Sequence, residues 1–483
     1  MCACFKHVSV RHDIAHRIKC IRERLDVIAL NKDQLSLVQS HSHEEEPRQL
    51  TNSGVDVMDI YGRDFDKQKM LSMLLCETSQ QETRIHVPIL SIVGTGGFGK
   101  TTLAQNPSIY EAKKLRTLLV GKASRSVLSA LHQLTCLRTL DLGYKGLFSE
   151  FGVLPSEVSR LLHLRYLDLS NNSNLTELPE TVRGLVNLQT LKLNGCFKLC
   201  KLPEGIGELS NLRHLEIKGT TDLMYYPRGG IERLSQLRTL SKFVVSDGSS
   251  KGSVIGELGN LNFLKGSLYI MGLRHVKNVN EAKQAELHKK KNISLLGLSF
   301  GDREYRPYIG DVSSEEEIRR MEGVLENLEP HKESLERLEI YNYVGSTLPT
   351  TWMMSNITYL FLYNCPNLKV EPHYLFPPRL ETLELWRDVG VLSKSLMSLT
   401  YNNNLKTLLI FSLPHSSLPQ GLNQLTSLQQ LSFRYCEFLD FKPEELKPLT
   451  MLRKLVIYLC PIITKRNWSI LTHIPIIEIK ERY

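Results

Sequence analysis

The sequence predicts an α/β solenoid: about thirteen short coils, each a strand followed by a turn, stacked around one continuous apolar core. Two observations predict it. The first is a leucine frame, seen in Leu164-Arg165-Tyr166-Leu167-Asp168-Leu169, Leu188-Gln189-Thr190-Leu191-Lys192-Leu193 and Leu212-Arg213-His214-Leu215-Glu216-Ile217. These copies start 24 residues apart. The second is a recurring turn, Leu178-Pro179-Glu180-Thr181-Val182 and Leu202-Pro203-Glu204-Gly205-Ile206. The L-x-L triplet is one short strand with both leucines facing inward, and the next apolar residues fold beneath it and close the coil.

The frame recurs at Leu137, Leu237, Leu335, Ile357, Leu380, Leu405, Leu428 and Leu452, with weaker copies near Leu264 and Leu295. It matches the leucine-rich repeat pattern in period and signature. A buried backbone at each turn needs a polar partner. Asn172, Cys196, Cys365, Cys436 and Cys460 stand where that partner belongs, so these cysteines read as structural coil residues. Cys2, Cys4 and His7 form no larger cluster and predict no metal site. One insertion, 301–334, interrupts the repeats, with a helical spacing at Ile318, Met321, Leu325 and Leu328.

Composition agrees with a folded chain. Of 483 residues, 42% are hydrophobic and 23% charged, which excludes collagen-like and wholly disordered classes. The net charge of +9 is a mild bias at this length and reads as a solvated surface, with no nucleic-acid partner implied. No apolar run reaches the roughly 18 residues of a membrane span. Nor does the start of the chain carry a secretory signal. The expected location is the cytoplasm, with reduced cysteines. No nucleophile–base–acid constellation stands out, so no catalytic residue is assigned and the chain does not read as an enzyme.

Ahead of the repeats, 87–93 is a short apolar run that reads as a buried strand. It leads into Gly94-Thr95-Gly96-Gly97-Phe98-Gly99-Lys100-Thr101-Thr102, which satisfies G-x-x-x-x-G-K-[ST]. In such a loop the backbone N–H groups cradle phosphates. Lys100 reaches the outer phosphates, and Thr101 binds Mg²⁺. Further upstream, Ile14, Ile18, Ile21, Leu25 and Ile28 step 4, 3, 4, 3, a heptad seam on a helix. The domain reading is therefore 1–40 amphipathic helix, 41–60 polar linker, 61–110 P-loop segment and 111–483 repeats.

A P-loop followed by L-P-type repeats resembles the plant intracellular nucleotide-binding, leucine-rich-repeat immune receptors of the coiled-coil class, the disease resistance proteins. Tyr61-Gly62-Arg63-Asp64 is similar to the family's Gly-Arg element, and the heptad helix to the last helix of its coiled-coil domain. The resemblance implies ATP or ADP with Mg²⁺ at Gly94, Gly96, Gly97, Gly99, Lys100, Thr101 and Thr102, and a protein partner on the repeats. The family's acidic second strand and winged-helix portion are missing: Gln105 runs almost directly to the leucine frame at Leu115. The chain reads as a truncated member that does not hydrolyse ATP. Two functional readings stand: an immune receptor sensing a pathogen or host protein, or a binding module or inactive remnant with no nucleotide switch.

The outward position after each L-x-L places the expected partner surface. It holds Ser170, Asn194 and Lys218 in early coils, then Tyr341, Tyr363, Trp386, Phe411, Arg434 and Tyr458. With strands about 4.8 Å apart, the six later residues predict an exposed aromatic column on the concave face, with Phe361 and Tyr435 beside it.

Overall fold

The computed structural model describes residues 115–120, 128, 131–143, 152–247, 251–302, 314–354, 356–370, 376–400 and 402–481. The heptad segment, the linker and the whole phosphate-loop segment lie outside the described residues.

Each leucine frame forms one short strand, because its inward side chains share a core while its backbone pairs with the coils above and below. Six strands form a first sheet in chain order: β1 (Thr117–Leu119), β2 (Thr139–Asp141), β3 (Tyr166–Asp168), β4 (Thr190–Lys192), β5 (His214–Glu216) and β6 (Thr239–Leu240). Ten more form a second: β7 (Lys242–Val244), β8 (Lys265–Met271), β9 (Asn292–Ser299), β10 (Arg337–Tyr341), β11 (Tyr359–Tyr363), β12 (Thr382–Trp386), β13 (Thr407–Phe411), β14 (Gln430–Arg434), β15 (Lys454–Tyr458) and β16 (Ile476–Lys480). Each strand runs parallel to its neighbours, as in Leu167↔Leu191↔Leu215 and Leu338↔Leu360↔Leu383. Among the described residues, the rungs run from the frame of Leu115 to an isoleucine version, Ile474 to Ile479.

The inward leucines are fully buried throughout, including Leu167, Leu191, Leu215, Leu338, Leu360 and Leu383. Each such side chain stabilises the fold by about 1.5–3 kcal/mol relative to exposure. Opposite the strands, Pro179 and Pro203 open the 3-10 turns Glu180–Gly184 and Glu204–Glu208. Their fixed φ, −66° and −63°, sets the entry to each turn.

The turn slots are filled as the sequence indicates. Asn172 donates to the Leu142 and Leu169 carbonyls at 3.0 and 2.8 Å. In the next coil Cys196 takes the slot and its thiol reaches the Leu169 carbonyl at 3.2 Å. Thr220 does the same at 2.7 Å to Ile217, a substitution of hydroxyl for thiol. Burial pushes the Cys196 and Cys365 thiols up to about 12, so neither forms a reactive thiolate.

Among the described residues, two α-helices sit outside the ladder. α1 (Val279–Lys283) is capped by Asn278, which accepts from the Glu281 N–H at 3.0 Å. α2 (Glu315–Glu326), the helix of the insertion, is capped by Ser314 and carries three glutamates in its first turn, where the helix dipole favours them. It buries Met321, Val324 and Leu325. Arg320 ties it to the solenoid by donating to the Arg274 and Val276 carbonyls at 2.7 and 2.6 Å.

The two sheets part because the strand phase slips by one residue. In the first frame, the position after Leu240 that matches Leu193 and Ile217 is Lys242, whose buried ammonium donates to the Thr220 carbonyl at 2.7 Å. In the second frame Lys242 pairs with Tyr269, and Phe243 takes the inward place beside Ile270. The Ile217 N–H finds the Ser241 hydroxyl at 2.8 Å in place of a strand carbonyl.

Candidate functional site

The strand face turned away from the core is the surface that the frame leaves free. Period two puts three residues per strand on it, such as Arg337, Glu339 and Tyr341 on β10. The register brings Tyr341, Tyr363, Trp386, Phe411, Arg434 and Tyr458 side by side on six consecutive strands, β10 to β15.

The rings touch along this column. Tyr341–Tyr363 and Tyr363–Trp386 centroids are 6.0 and 6.3 Å apart, and Trp386 stacks on Phe411 at 4.0 Å. The Arg434 guanidinium lies 5.4 Å from the Phe411 centroid, and Tyr458 meets Tyr435 edge-on at 5.4 Å. Such pairs contribute about 0.5–1.5 kcal/mol beyond the area they bury.

The column is not the exposed stripe that the sequence predicts. Tyr341, Tyr363 and Phe411 are 8, 3 and 9% exposed, and only Trp386, Arg434 and Tyr458 are half-buried. The reason lies two residues upstream on each strand. Phe361, 5% exposed, packs on Tyr341 at 5.1 Å and on Trp386 at 5.6 Å. Tyr269, Tyr359 and Trp386 pack against this same cluster.

A polar network holds the cluster in place. Glu339 is buried and accepts from the Tyr341 hydroxyl and from Arg337 Nε, both at 2.6 Å. Arg337 lies flat over the Tyr359 ring, 3.6 Å from its centroid. The Tyr359 hydroxyl and Trp386 Nε1 both donate to Glu384. Burial, with the Glu384 hydrogen bond, pushes the Tyr359 hydroxyl well above its ordinary value, so it stays a donor. Sequence reasoning missed Arg337, Glu339, Tyr359 and Glu384. The signal that could have found them is the same alternation read two positions earlier on each strand.

The first sheet presents a different surface. Tyr166 donates to Asp168 at 2.9 Å, Lys192 pairs with Glu216 at 3.4 Å, and Asn194 donates to Glu216 at 3.0 Å. Ser170, Asn194 and Lys218 occupy the outward column there. Gly94, Gly96, Gly97, Gly99, Lys100, Thr101 and Thr102 lie outside the described residues. Among the described residues no His/Cys/Asp/Glu group is placed to hold a metal, and no helix is long and apolar enough to cross a membrane.

Two successive parallel ladders, with an Asn/Cys/Thr slot in their coils, define the class. The family described as leucine-rich repeat region matches residues 114–369, and the chain belongs to it. Among curated proteins, the chain is similar to Disease resistance protein RGA2 of Solanum bulbocastanum, 36% identical over 237 residues, 46% of this chain and 23% of that one. It is also similar to Putative disease resistance protein RGA1 of the same species, 48% identical over 262 residues, 53% of this chain and 24% of that one. The matches thus span about a quarter of these relatives' length. A solved leucine-rich repeat protein of Leptospira interrogans is 24% identical, covering 77% of this chain and 91% of that one, with a TM-score of 0.48.

Proposed function

We propose that the chain is a plant defence protein of the immune-receptor type, recognising a pathogen-derived or host protein through the concave strand face of its repeats. The contact surface is the column from Trp386 to Tyr458. The observation that carries this reading is the aromatic and arginine cluster on the outward face of β10–β15, a position the repeat frame does not constrain. Trp, Tyr and Arg are the residue types that dominate binding energy at interfaces. Half-buried Trp386, Arg434 and Tyr458 are its accessible members; Trp386 packs on Tyr363 and Phe411, Arg434 on Phe411, and Tyr458 on Tyr435. A partner screen with Trp386→Ala plus Tyr458→Ala beside Ser170→Ala plus Asn194→Ala tests it. The first pair is expected to lose the partner. Loss with the second pair alone, in folded proteins, would reject the reading.

A binding module that works without a nucleotide switch is the second reading. It is favoured by one observation: β1 at Thr117–Leu119 is already a rung of the ladder, close behind the loop at 94–102. That spacing leaves no chain for an acidic partner strand. On this reading ATP and ADP bind weakly or not at all. Micromolar affinity in a calorimetric titration, lost in Lys100→Ala, would restore the switch.

A further inference from the structure

The residue that follows the first leucine of each frame stands at the strand-entry edge of the solenoid. In the coils of β1–β6 and β8 it reads Arg116, Arg138, Arg165, Gln189, Arg213, Arg238 and Lys265. Hydrogen bonds stack these residues into a column. The N–H of each donates to the carbonyl of the one before it at 2.7–2.9 Å, from Arg138 on Arg116 through to Lys265 on Arg238. With coils about 4.8 Å apart, the column is about 29 Å long.

Its charges are free. Arg165, Arg213, Arg238 and Lys265 are exposed, Arg116 and Arg138 are half-buried, and none of the six has an ion pair among the described residues. Burial, and then Lys265, Arg238 and Arg213, hold His214 below its ordinary value, so three of these cations act on one spot. Like charges on neighbouring strands oppose folding. The frame does not call for them either. At the same position the second sheet carries Glu336, Thr358, Glu381, Lys406, Gln429 and Arg453, and there Lys406 pairs with Glu381 at 2.9 Å.

The ground on either side of the column narrows the ligand. On the outward face beside it stand Asp141, Asp168 and Glu216, which repel a broad polyanion such as a nucleic-acid duplex or an anionic membrane and confine an anion to the edge. On the other side, the two residues ahead of each leucine in the coils of β2–β6 and β8 include no carboxylate, and Leu162, Val186 and Phe263 among them are exposed. Cations in a line, bordered by apolar side chains, suit a polypeptide that carries both acidic and apolar residues. An extended segment of about nine residues spans the column.

We propose that this edge binds an extended acidic segment of a partner protein, its carboxylates on the arginines and its apolar side chains against Leu162, Val186 and Phe263. The surface is separate from the column that runs from Trp386 to Tyr458 and does not depend on it.

The test is fluorescence anisotropy of the full chain with a labelled nine-residue peptide that has glutamate at alternate positions and leucine between them. Its glutamine counterpart, a labelled oligothymidine and phosphatidylserine vesicles are the competing probes. The glutamate peptide is expected to bind tightest, and more weakly as salt is added. Arg165→Gln with Arg213→Gln and Arg238→Gln should weaken it about tenfold, the sum of three exposed ion pairs. Lysine at the same three positions should keep most of the affinity. Lys406→Gln with Arg453→Gln, in the same column of the second sheet, should change nothing. Equal binding of the glutamine peptide, an equal loss in the second-sheet pair, or tighter binding of the oligothymidine or the vesicles would overturn the proposal.

Discussion

The first sheet and the second are built on the same frame and diverge on the face that the frame leaves free. Leu167, Leu191 and Leu215 are as buried as Leu338, Leu360 and Leu383. Outward, β3–β5 present Asp168, Lys192, Glu216 and Asn194 in an ordinary polar lattice, whereas β10–β13 present a packed aromatic cluster over a buried carboxylate. The turns differ as well. The residue after the outward position is left-handed in both sheets, but the first uses Asn171 and Gly195, which tolerate it. The second begins the same way, with Asn342 and Asn364, and then uses Arg387, Ser412, Tyr435 and Leu459 at φ 64, 51, 55 and 53°. Core packing tolerates little variation because interiors are close-packed. The outward face carries no such constraint, so its divergence records something other than the need to fold.

The comparison breaks first if the frames are not equivalent. Leu191→Ala in the first sheet and Leu383→Ala in the second should each cost about 2–5 kcal/mol, read from denaturant midpoints. A loss confined to one sheet would mean that the two ladders are not packed alike. Next comes the carboxylate beneath the cluster. Glu339→Ala leaves Arg337 and the Tyr341 hydroxyl without their acceptor and should cost about 1.5–3 kcal/mol. The matching Glu216→Ala, on a pair that is about a third exposed, should cost under about 1 kcal/mol. Equal losses would show that the cluster gains nothing from its buried acid.

A smaller effect sharpens the turn difference. Arg387 is exposed and left-handed, so Arg387→Gly should raise stability by about 1 kcal/mol in thermal melts, with a lesser gain for Asn171→Gly. A destabilised Arg387→Gly would place the Arg387 side chain, which lies 5.8 Å from the Tyr363 ring centroid, among the contacts that matter.

The smallest effect is a pH response confined to the first sheet. Burial, and then the positive charges of Lys265 and Arg238, hold His214 below its usual value near 6.5, while no strand of the second sheet carries a histidine. The unfolded chain therefore takes up the proton first. Stability is full above about 6.5 and declines as pH falls from there toward the lower folded value. In His214→Gln that decline between pH 6.5 and 5 should disappear. A slope that persists would assign it to another group.

Much of this architecture is legible in the sequence because the frame is a packing rule. Leucine spacing gives the strands and their inward side, the Asn/Cys positions give the turn slots, and counting from L-x-L gives the six aligned residues from Tyr341 to Tyr458. The spacing of Ile318 to Leu328 gives the insertion helix. What is not legible is burial on the outward face. Whether Tyr341 is exposed depends on Phe361, a residue on the next strand at a different outward position, and that contact has no signature along the chain. The phase slip left a visible mark, since Lys242 stands where the frame calls for an apolar side chain, but a single lysine does not reveal that the strands there part into two sheets.

The central claim is that the outward face of the second sheet recognises a partner while the first sheet supplies the same scaffold without that contact. Oxidative footprinting of the chain with its captured partner reads this directly, because Trp386, Tyr458 and Tyr166 are all half-buried and oxidisable in the free protein. The account predicts that the partner lowers oxidation at Trp386 and Tyr458 and leaves Tyr166 unchanged. Protection of Tyr166 with Trp386 and Tyr458 still oxidised at the free rate would contradict it.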